Sequence, residues 1–192
     1  MSVFSIAVLC GAREGRDPAH AVAARQLGAA LAEAGWQLVY GGGKVGLMGE
    51  VAQACLDHDG EVTGVIPGFL DRREVLHAGL TTLHRVEDLF ERKSLMIELA
   101  DAFVALPGGI GTLDELLEVM AWRQLGCIDK PIALLNVTGF FDPWLALLRG
   151  IVAEGFLEDA EVERLIVVRD IPTLLRSLGD ALTNAPGTRN SV

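Results

Sequence analysis

Short, continuously apolar segments alternate with longer amphipathic segments along most of the chain. The apolar segments have the length of β-strands and lie at 4–10, 37–40, 62–66, 81–84, 102–106, 132–136 and 165–168. They are too uniformly apolar for strands that expose one face to water. The pattern therefore predicts a sheet that is covered on both faces.

The amphipathic segments between the strands predict helices. In segment 19–34, Val22, Leu27 and Leu31 share one face, and Gly35 follows as a helix end. Further helices are predicted from residue 47 and at 87–100 and 112–125. This alternation is typical of α/β proteins, and we predict a single-domain, Rossmann-like doubly wound parallel sheet with helices on both faces. Ligands are then expected in the crevice beyond the carboxyl ends of the strands.

The chain has enough apolar material for one well-buried core. Of its 192 residues, 51% are hydrophobic, and the mean hydropathy is +0.37. We predict one domain over 1–182, followed by a polar, disordered tail over 183–192. The long connection at 67–79 is expected to close partly over the ligand site.

The balance of charge excludes several classes of partner. The formal net charge is -10 and the pI is near 4.8, whereas nucleic acids and anionic membranes require a basic face. A small anionic ligand remains compatible with this charge through local dipoles. The first apolar segment ends at Cys10 and is too short for a signal sequence or a membrane span.

The cysteines and histidines show no metal-binding or disulfide pattern. Cys10, Cys55 and Cys127 are odd in number and widely spaced, which favours a reducing cytoplasm. We expect Cys10 to be a small core residue. The four histidines lack the spacing of metal ligands, so no metal site is predicted. Of these, His77 lies on the long connection and is expected to be exposed.

A glycine-rich segment follows the fifth predicted strand and opens a helix predicted to start at Thr112. Its members are Pro107, Gly108, Gly109, Ile110, Gly111 and Thr112. Glycines let backbone amides converge on an anion, and the helix start adds the positive end of its dipole. The segment predicts a phosphate-binding loop.

A second glycine loop, 41–46, follows the second predicted strand. It matches the GxGxxG pattern, which alone is a weak signal. The next strand ends without the acid that a dinucleotide ribose needs, and Lys44 is followed by Val45 rather than by a P-loop hydroxyl. Two glycine loops in one crevice therefore favour a bound nucleotide of another kind. Segment 11–15 is a third such turn, able to admit a ribose or base.

Two basic residues, Arg92 and Lys93, lie on the helix predicted before the phosphate loop. In an acidic chain they suit an anionic ligand, and arginine suits bidentate phosphate contact. The alternative is a surface ion pair of Arg92 with Asp88, worth only about 0.3 to 0.5 kcal/mol. Spacing alone slightly favours this surface pair.

The acidic residues after the phosphate loop have two interpretations. Thr112 and Glu115 have the spacing of a capping box, which would explain both. In the other interpretation, the Thr112 hydroxyl binds phosphate and Glu115 faces the sugar. Asp114 is expected to complement the helix dipole. The sequence leaves the choice for Thr112 and Glu115 open.

Together, segments 41–49, 91–93 and 107–115 resemble the LOG family of nucleoside 5'-monophosphate phosphoribohydrolases. The family includes enzymes that release free cytokinins, and many bacterial members once labelled lysine decarboxylases. The likeness extends from about residue 4 to 156, and the signature PGGxGTxxE is matched at every fixed position. Two positions depart from the family: Leu89 and Phe90 replace Met and His before the basic pair. Ala12 also stands where a serine is usual.

The resemblance implies an enzyme that hydrolyses the N-glycosidic bond of AMP or an N6-modified cytokinin riboside monophosphate. It implies Arg92 and Glu115 as the catalytic pair, no metal or redox cofactor, and a homodimer. The implied substrate-binding residues are Gly41, Gly42, Gly43, Gly46, Met48, Lys93, Pro107, Gly108, Gly109, Ile110, Gly111 and Thr112. The alternative is a non-catalytic nucleotide or molybdenum-cofactor carrier of the same fold. The choice between adenine and a cytokinin base depends on pocket shape, which no motif encodes.

Overall fold

The computed structural model describes residues 4–70 and 76–184 and contains one seven-stranded sheet. Its strands are β1 (Ser5–Leu9), β2 (Gln37–Tyr40), β3 (Val62–Pro67), β4 (Thr82–Val86), β5 (Ala102–Ala105), β6 (Ile132–Leu135) and β7 (Leu165–Val168). They are all parallel and lie in the order β4-β3-β2-β1-β5-β6-β7. The predicted parallel α/β architecture is confirmed.

Helices cover both faces of the sheet. In the described residues they are α1 (Ala19–Glu33), α2 (Gly46–Asp57), α3 (Leu89–Leu99), α4 (Ile110–Gln124), α5 (Asp142–Ala153), α6 (Asp159–Glu163) and α7 (Ile171–Asn184). Because side chains alternate along a strand, Ile6 and Val8 of β1 pack with α1, α2 and α7. Ala7 and Leu9 pack with α3, α4 and α5 on the other face. This is why the strands are apolar throughout.

The neighbouring strands β1 and β5 create the ligand crevice. From β1 the chain proceeds through β2 and β3 to one edge of the sheet, and from β5 through β6 to the other. Helix α1, after β1, and helix α4, after β5, pack on opposite faces. The loops therefore separate at the carboxyl ends of β1 and β5, where an open α/β sheet binds its ligands.

Some predicted boundaries need correction. Helix α4 begins at Ile110, two residues before the predicted start, because Gly109 is extended and precedes the first turn. Helix α7 continues to Asn184, so the tail predicted from residue 183 begins later. Residues 185–192 of that tail and 71–75 of the predicted closing connection lie outside the described residues. Among the described helices, none has the length and apolarity needed to cross a membrane.

Helices α1 and α2 pack closely at Gly28. A Cβ atom placed on Gly28 would lie 2.2 Å from the Val51 carbonyl oxygen and 3.0 Å from the Cys55 nitrogen. Both neighbours are backbone atoms, which cannot rotate away. The contact therefore requires glycine, although the same residue weakens the helix intrinsically.

We expect Gly28→Ala to lower the free energy of unfolding by about 1 to 3 kcal/mol, because the methyl group would force the two helices apart. The matched control is Gly150→Ala in α5, where no atom lies within 4 Å of the added Cβ. That change should raise stability by about 0.5 to 1 kcal/mol through helix propensity. Urea denaturation measures both, and equal effects of the two substitutions would contradict this account.

Candidate functional site

A cavity of about 600 Å³ opens at the carboxyl ends of the central strands. It brings together residues from all three predicted glycine turns and from α3 and α4. Nine of the predicted site residues line it, namely Gly41, Met48, Arg92, Pro107, Gly108, Gly109, Gly111, Thr112 and Glu115. The described cavity thus combines the predicted phosphate loop with the predicted basic and acidic pair.

The phosphate loop presents the amino end of α4 to the cavity. Gly109 is the residue before the helix, and no side chain caps the amides of the first turn. The first backbone bond of the helix runs from the Leu113 amide to the Gly109 carbonyl, 3.1 Å away. The amides before Leu113 therefore remain available, as at other anion-binding helix ends.

Thr112 and Glu115 do not form a capping box. Thr112 is itself the third residue of the helix, and its side chain is buried against Gly108. A Cβ on Gly108 would lie 2.0 Å from the Thr112 Oγ1 atom, so the glycine makes room for this hydroxyl. The capping interpretation is wrong, because the helix begins two residues earlier than the spacing indicates.

A buried ion pair joins α3 to α4 inside the cavity. The Arg92 Nη2 atom lies 3.2 Å from the Glu115 Oε1 atom, and the two side chains are only 10% and 15% exposed. Within the described part of the chain, the buried Arg92 Nε has no hydrogen-bond acceptor. The guanidinium therefore holds the carboxylate through Nη2, while its Nε donor is left unsatisfied within the protein.

Asp88, the alternative partner predicted for Arg92, has a different role. The Asp88 carboxylate caps α3 by accepting a 2.8 Å hydrogen bond from the Glu91 amide. The predicted surface pair of Asp88 with Arg92 is therefore wrong. Aspartate at a helix start caps the amides of the first turn, whereas the arginine side chain points across to α4.

The arginine position depends on Gly41 at the end of β2. A Cβ on Gly41 would lie 2.1 Å from Arg92 Nη2 and 3.3 Å from the Met48 sulfur. The guanidinium occupies the space that any other residue would fill. Gly41 thus serves the ion pair directly, in addition to lining the cavity.

Lys93 lies outside this cavity and forms ion pairs with the outer side of α4. Its Nζ atom is 3.1 Å from the Asp114 Oδ2 atom and also contacts the Glu118 carboxylate. The hydrogen bond to Glu118 is the main cause that raises the pKa of Lys93. Asp114 therefore pairs with a lysine of α3, rather than only complementing the helix dipole as expected.

The rest of the second glycine loop contacts neighbouring backbone rather than the cavity. Gly42 has φ +79°, and its carbonyl accepts a 3.2 Å hydrogen bond from the His77 amide. Gly43 forms an isolated bridge with Leu76. Gly46 has φ +60°, and a Cβ there would lie 2.3 Å from backbone atoms of the 11–15 turn. Ile110 also lies outside the cavity lining and is 83% exposed.

The expectation that His77 is exposed is wrong. It is buried against the second glycine loop, and its Nδ1 atom accepts a 3.3 Å hydrogen bond from the Gly79 amide. Burial, followed by the nearby Lys44 charge, lowers the pKa of His77. The backbone contact with Gly42, which no local motif encodes, holds it there.

Sequence reasoning missed part of the cavity wall. His20 and Phe140 both line the cavity and meet edge to face, with ring centroids 6.1 Å apart. The cavity lining also includes Arg13, Glu14 and Arg16. From the sequence, this turn is predicted only as a glycine-containing turn that admits a ribose or base. His20 and Phe140 are 120 positions apart in the chain, and the order of strands in the sheet brings them together, because β1 and β6 lie on either side of β5.

Cys10 forms part of the cavity floor as well as the core. It is buried in the cluster that contains β1, as expected, and burial strongly raises the pKa of its thiol. All three cysteines are free. Within the described ranges, no group of three or more His, Cys, Asp and Glu side chains has an arrangement that could hold a metal ion.

Comparisons with known proteins agree with this geometry. Residues 48–178 match the family model described as possible lysine decarboxylase. A cytokinin riboside 5'-monophosphate phosphoribohydrolase of Rhodococcoides fascians is 47% identical over 168 residues, which are 87% of this chain and 85% of that protein. The rice enzyme of the same name, LOG, is 49% identical over 163 residues, which are 85% of this chain and 66% of that protein.

Solved structures of other proteins share this fold. A molybdenum cofactor carrier protein from Chlamydomonas reinhardtii superposes with a TM-score of 0.75 at 20% identity. The match covers 95% of this chain and 100% of the carrier. At this identity the likeness shows a shared fold alone. The family match over most of the chain, together with relatives at 47% and 49% identity, shows that the chain belongs to the LOG family.

Proposed function

We propose that this protein hydrolyses the N-glycosidic bond of a purine nucleoside 5'-monophosphate. The substrate is AMP or an N6-modified cytokinin riboside monophosphate, and the products are the free base and ribose 5-phosphate. One observation carries the proposal: the Arg92–Glu115 pair and the open amino end of α4 line the same cavity. The printed names of the relatives support the same reaction.

The phosphate binds at the amino end of α4. The amides of the first turn and the buried Thr112 hydroxyl supply donors, and the helix dipole favours the negative charge. Gly109 and Gly111 leave open space on the cavity side, because no atom lies within 4 Å of a Cβ placed on either. Binding energy at the phosphate then orients the sugar, which lies further along α4.

Glu115 acts at the sugar, one helical turn beyond the phosphate donors. As the bond from C1' to the base breaks, its electron pair leaves with the base and positive charge develops on the ribose. A carboxylate beside C1' stabilises this charge. It also accepts one proton of the attacking water, whose oxygen bonds to C1', and Glu115 then returns this proton, through solvent, to the departing base nitrogen. Atoms and charge balance without an oxidant or reductant.

Arg92 positions Glu115 and contacts the substrate. Its Nη2 atom holds the carboxylate, and the guanidinium also contacts a ribose or phosphate oxygen or the departing base. The positive charge of Arg92 offsets part of the cost of burying the Glu115 carboxylate. Lys93 acts on the other side of α4, where its pairs with Asp114 and Glu118 hold the two helices together.

A carrier without catalytic activity is the second candidate, and the shared fold with the molybdenum cofactor carrier favours it. The enzyme is better supported, because the relatives named phosphoribohydrolase are far more similar in sequence than the carrier. An enzyme also uses the buried ion pair, whereas nucleotide binding alone would not need a carboxylate beside the phosphate site.

We expect Glu115→Gln to lower base release from AMP and from isopentenyladenosine monophosphate by about 10²- to 10⁴-fold, because the amide cannot accept a proton or stabilise positive charge. Chromatography of the free base measures this loss. The matched control is Glu154→Gln, an exposed carboxylate just after α5 and outside the cavity lining, which should retain activity. If the unmodified protein bound AMP tightly without turnover, the carrier would be supported instead. If it cleaved adenosine as fast as AMP, the phosphate-anchored mechanism would be excluded.

We expect Gly41→Ala to lower kcat by about 10²-fold, because the new methyl group would displace the Arg92 guanidinium from Glu115. The protein should remain folded, as a circular dichroism spectrum would show. A double-substitution cycle tests whether Gly41→Ala lowers kcat through Arg92. If it does, adding Gly41→Ala to the Arg92→Ala variant should lower kcat little further. If the losses of the two single variants add in the double variant, Gly41 acts in another way.

We propose that the protein is a homodimer that uses the outer faces of α3 and α4. Four large apolar side chains are exposed there: Leu89, Phe90, Ile110 and Leu117. Sedimentation equilibrium should give twice the chain mass of 20.5 kDa. Phe90→Glu should shift the mass toward the monomer, and a monomeric unmodified protein would contradict the proposal.

A further inference from the structure

The turn after β1 places two arginines at the cavity. Arg13 and Arg16 line the cavity and are exposed. Within residues 4–70 and 76–184, neither side chain has an ion-pair partner, although the chain as a whole is strongly acidic. The catalytic proposal uses neither of them. Two unpaired guanidinium groups at a cavity are suited to bind an anion.

This turn lies directly against the phosphate loop. The Gly11 amide donates a 3.1 Å hydrogen bond to the Pro107 carbonyl, and a Cβ on Gly11 would lie 3.2 Å from the Gly108 Cα. The pairing of β1 with β5 produces this contact. The start of the turn therefore borders the phosphate loop, and Arg13 and Arg16 line the same cavity as the amino end of α4.

Several contacts order the turn before any ligand binds. Gly46 packs against the backbone of Ala12 and Arg13, where a larger residue would collide. At the other end, the Asp17 carboxylate accepts a 2.9 Å hydrogen bond from the Ala19 amide, and His20 packs on Phe140. An ordered backbone lowers the entropy that the arginines lose on binding.

The charges that line the cavity favour an anion despite the net charge of -10. Three arginines, Arg13, Arg16 and Arg92, are among the residues that line it, against two glutamates, Glu14 and Glu115. Because Glu115 is already paired with Arg92, Glu14 is the other acidic residue of the lining. Local positive charge of this kind attracts an anionic ligand to a protein that would otherwise repel it.

We infer that Arg13 and Arg16 bind the 5'-phosphate of the substrate from the side of the β1–α1 turn, opposite the amides of α4. The inference rests on the proposed function for the identity of the ligand. It differs from the sequence-based expectation that this turn admits the ribose or base. Side-chain charge then supplements the backbone donors, and substrates without a phosphate lose both sets of contacts.

The test measures binding of ribose 5-phosphate and of adenosine by isothermal titration calorimetry at low salt. Arg13→Gln and Arg16→Gln should each weaken ribose 5-phosphate binding by about 10-fold, the size of one charge-assisted hydrogen bond. Adenosine binding should not change. The losses should shrink as salt is added, because these exposed charges are screened. Arg13→Lys should retain part of the affinity, since it keeps the charge without the fork of donors.

Arg149→Gln on α5 is the matched control, because it removes an exposed arginine that does not line the cavity. It should leave both affinities unchanged. Unaltered ribose 5-phosphate binding in the Arg13→Gln/Arg16→Gln double variant would overturn the inference, and so would an equal loss of adenosine binding. These measurements need no turnover. If ribose 5-phosphate binding depends on the two arginines but AMP is not hydrolysed, only the proposed reaction is rejected.

Discussion

The buried contact between Arg92 and Glu115 is the interaction on which the site depends. Removing two charges from water is costly, and their mutual attraction offsets that cost only when the geometry is good. The pair meets this requirement because β2 ends in a glycine that leaves space for the guanidinium. The positions of α3, α4 and the end of β2 are thus coupled through one ion pair.

Glycines in this protein serve two distinct physical purposes. In the phosphate loop, Gly109 and Gly111 keep the approach to the backbone amides open. Elsewhere, glycine permits close packing within the protein itself, as where Gly46 meets the turn after β1 and Gly28 meets α2. A glycine motif therefore indicates close backbone approach, and only the surroundings show whether the neighbour is a ligand or another loop.

Local electrostatics in the cavity oppose the charge of the whole molecule. The acidic side chains lie mainly on exposed surface, where water screens them, whereas the helix end and the guanidinium groups act at short range within the cavity. Net charge argues against a polyanionic partner, which needs a broad basic face. It carried no information about a small phosphate, which needs only a few converging donors.

The sequence by itself determined the class of fold and most of the site. Uniformly apolar strands require cover on both faces, and a glycine-rich segment at a helix start is suited to an anion, so both follow from local chemistry. Tertiary structure decided what depends on neighbours distant in the chain. It paired Arg92 with Glu115 rather than Asp88, placed Lys93 outside the cavity, buried His77, and brought Arg13 and Arg16 to the cavity lining. Hydrophobic periodicity describes one strand or helix at a time. These contacts instead form between loops and helices that are distant in the chain and that the strand order of the sheet brings together.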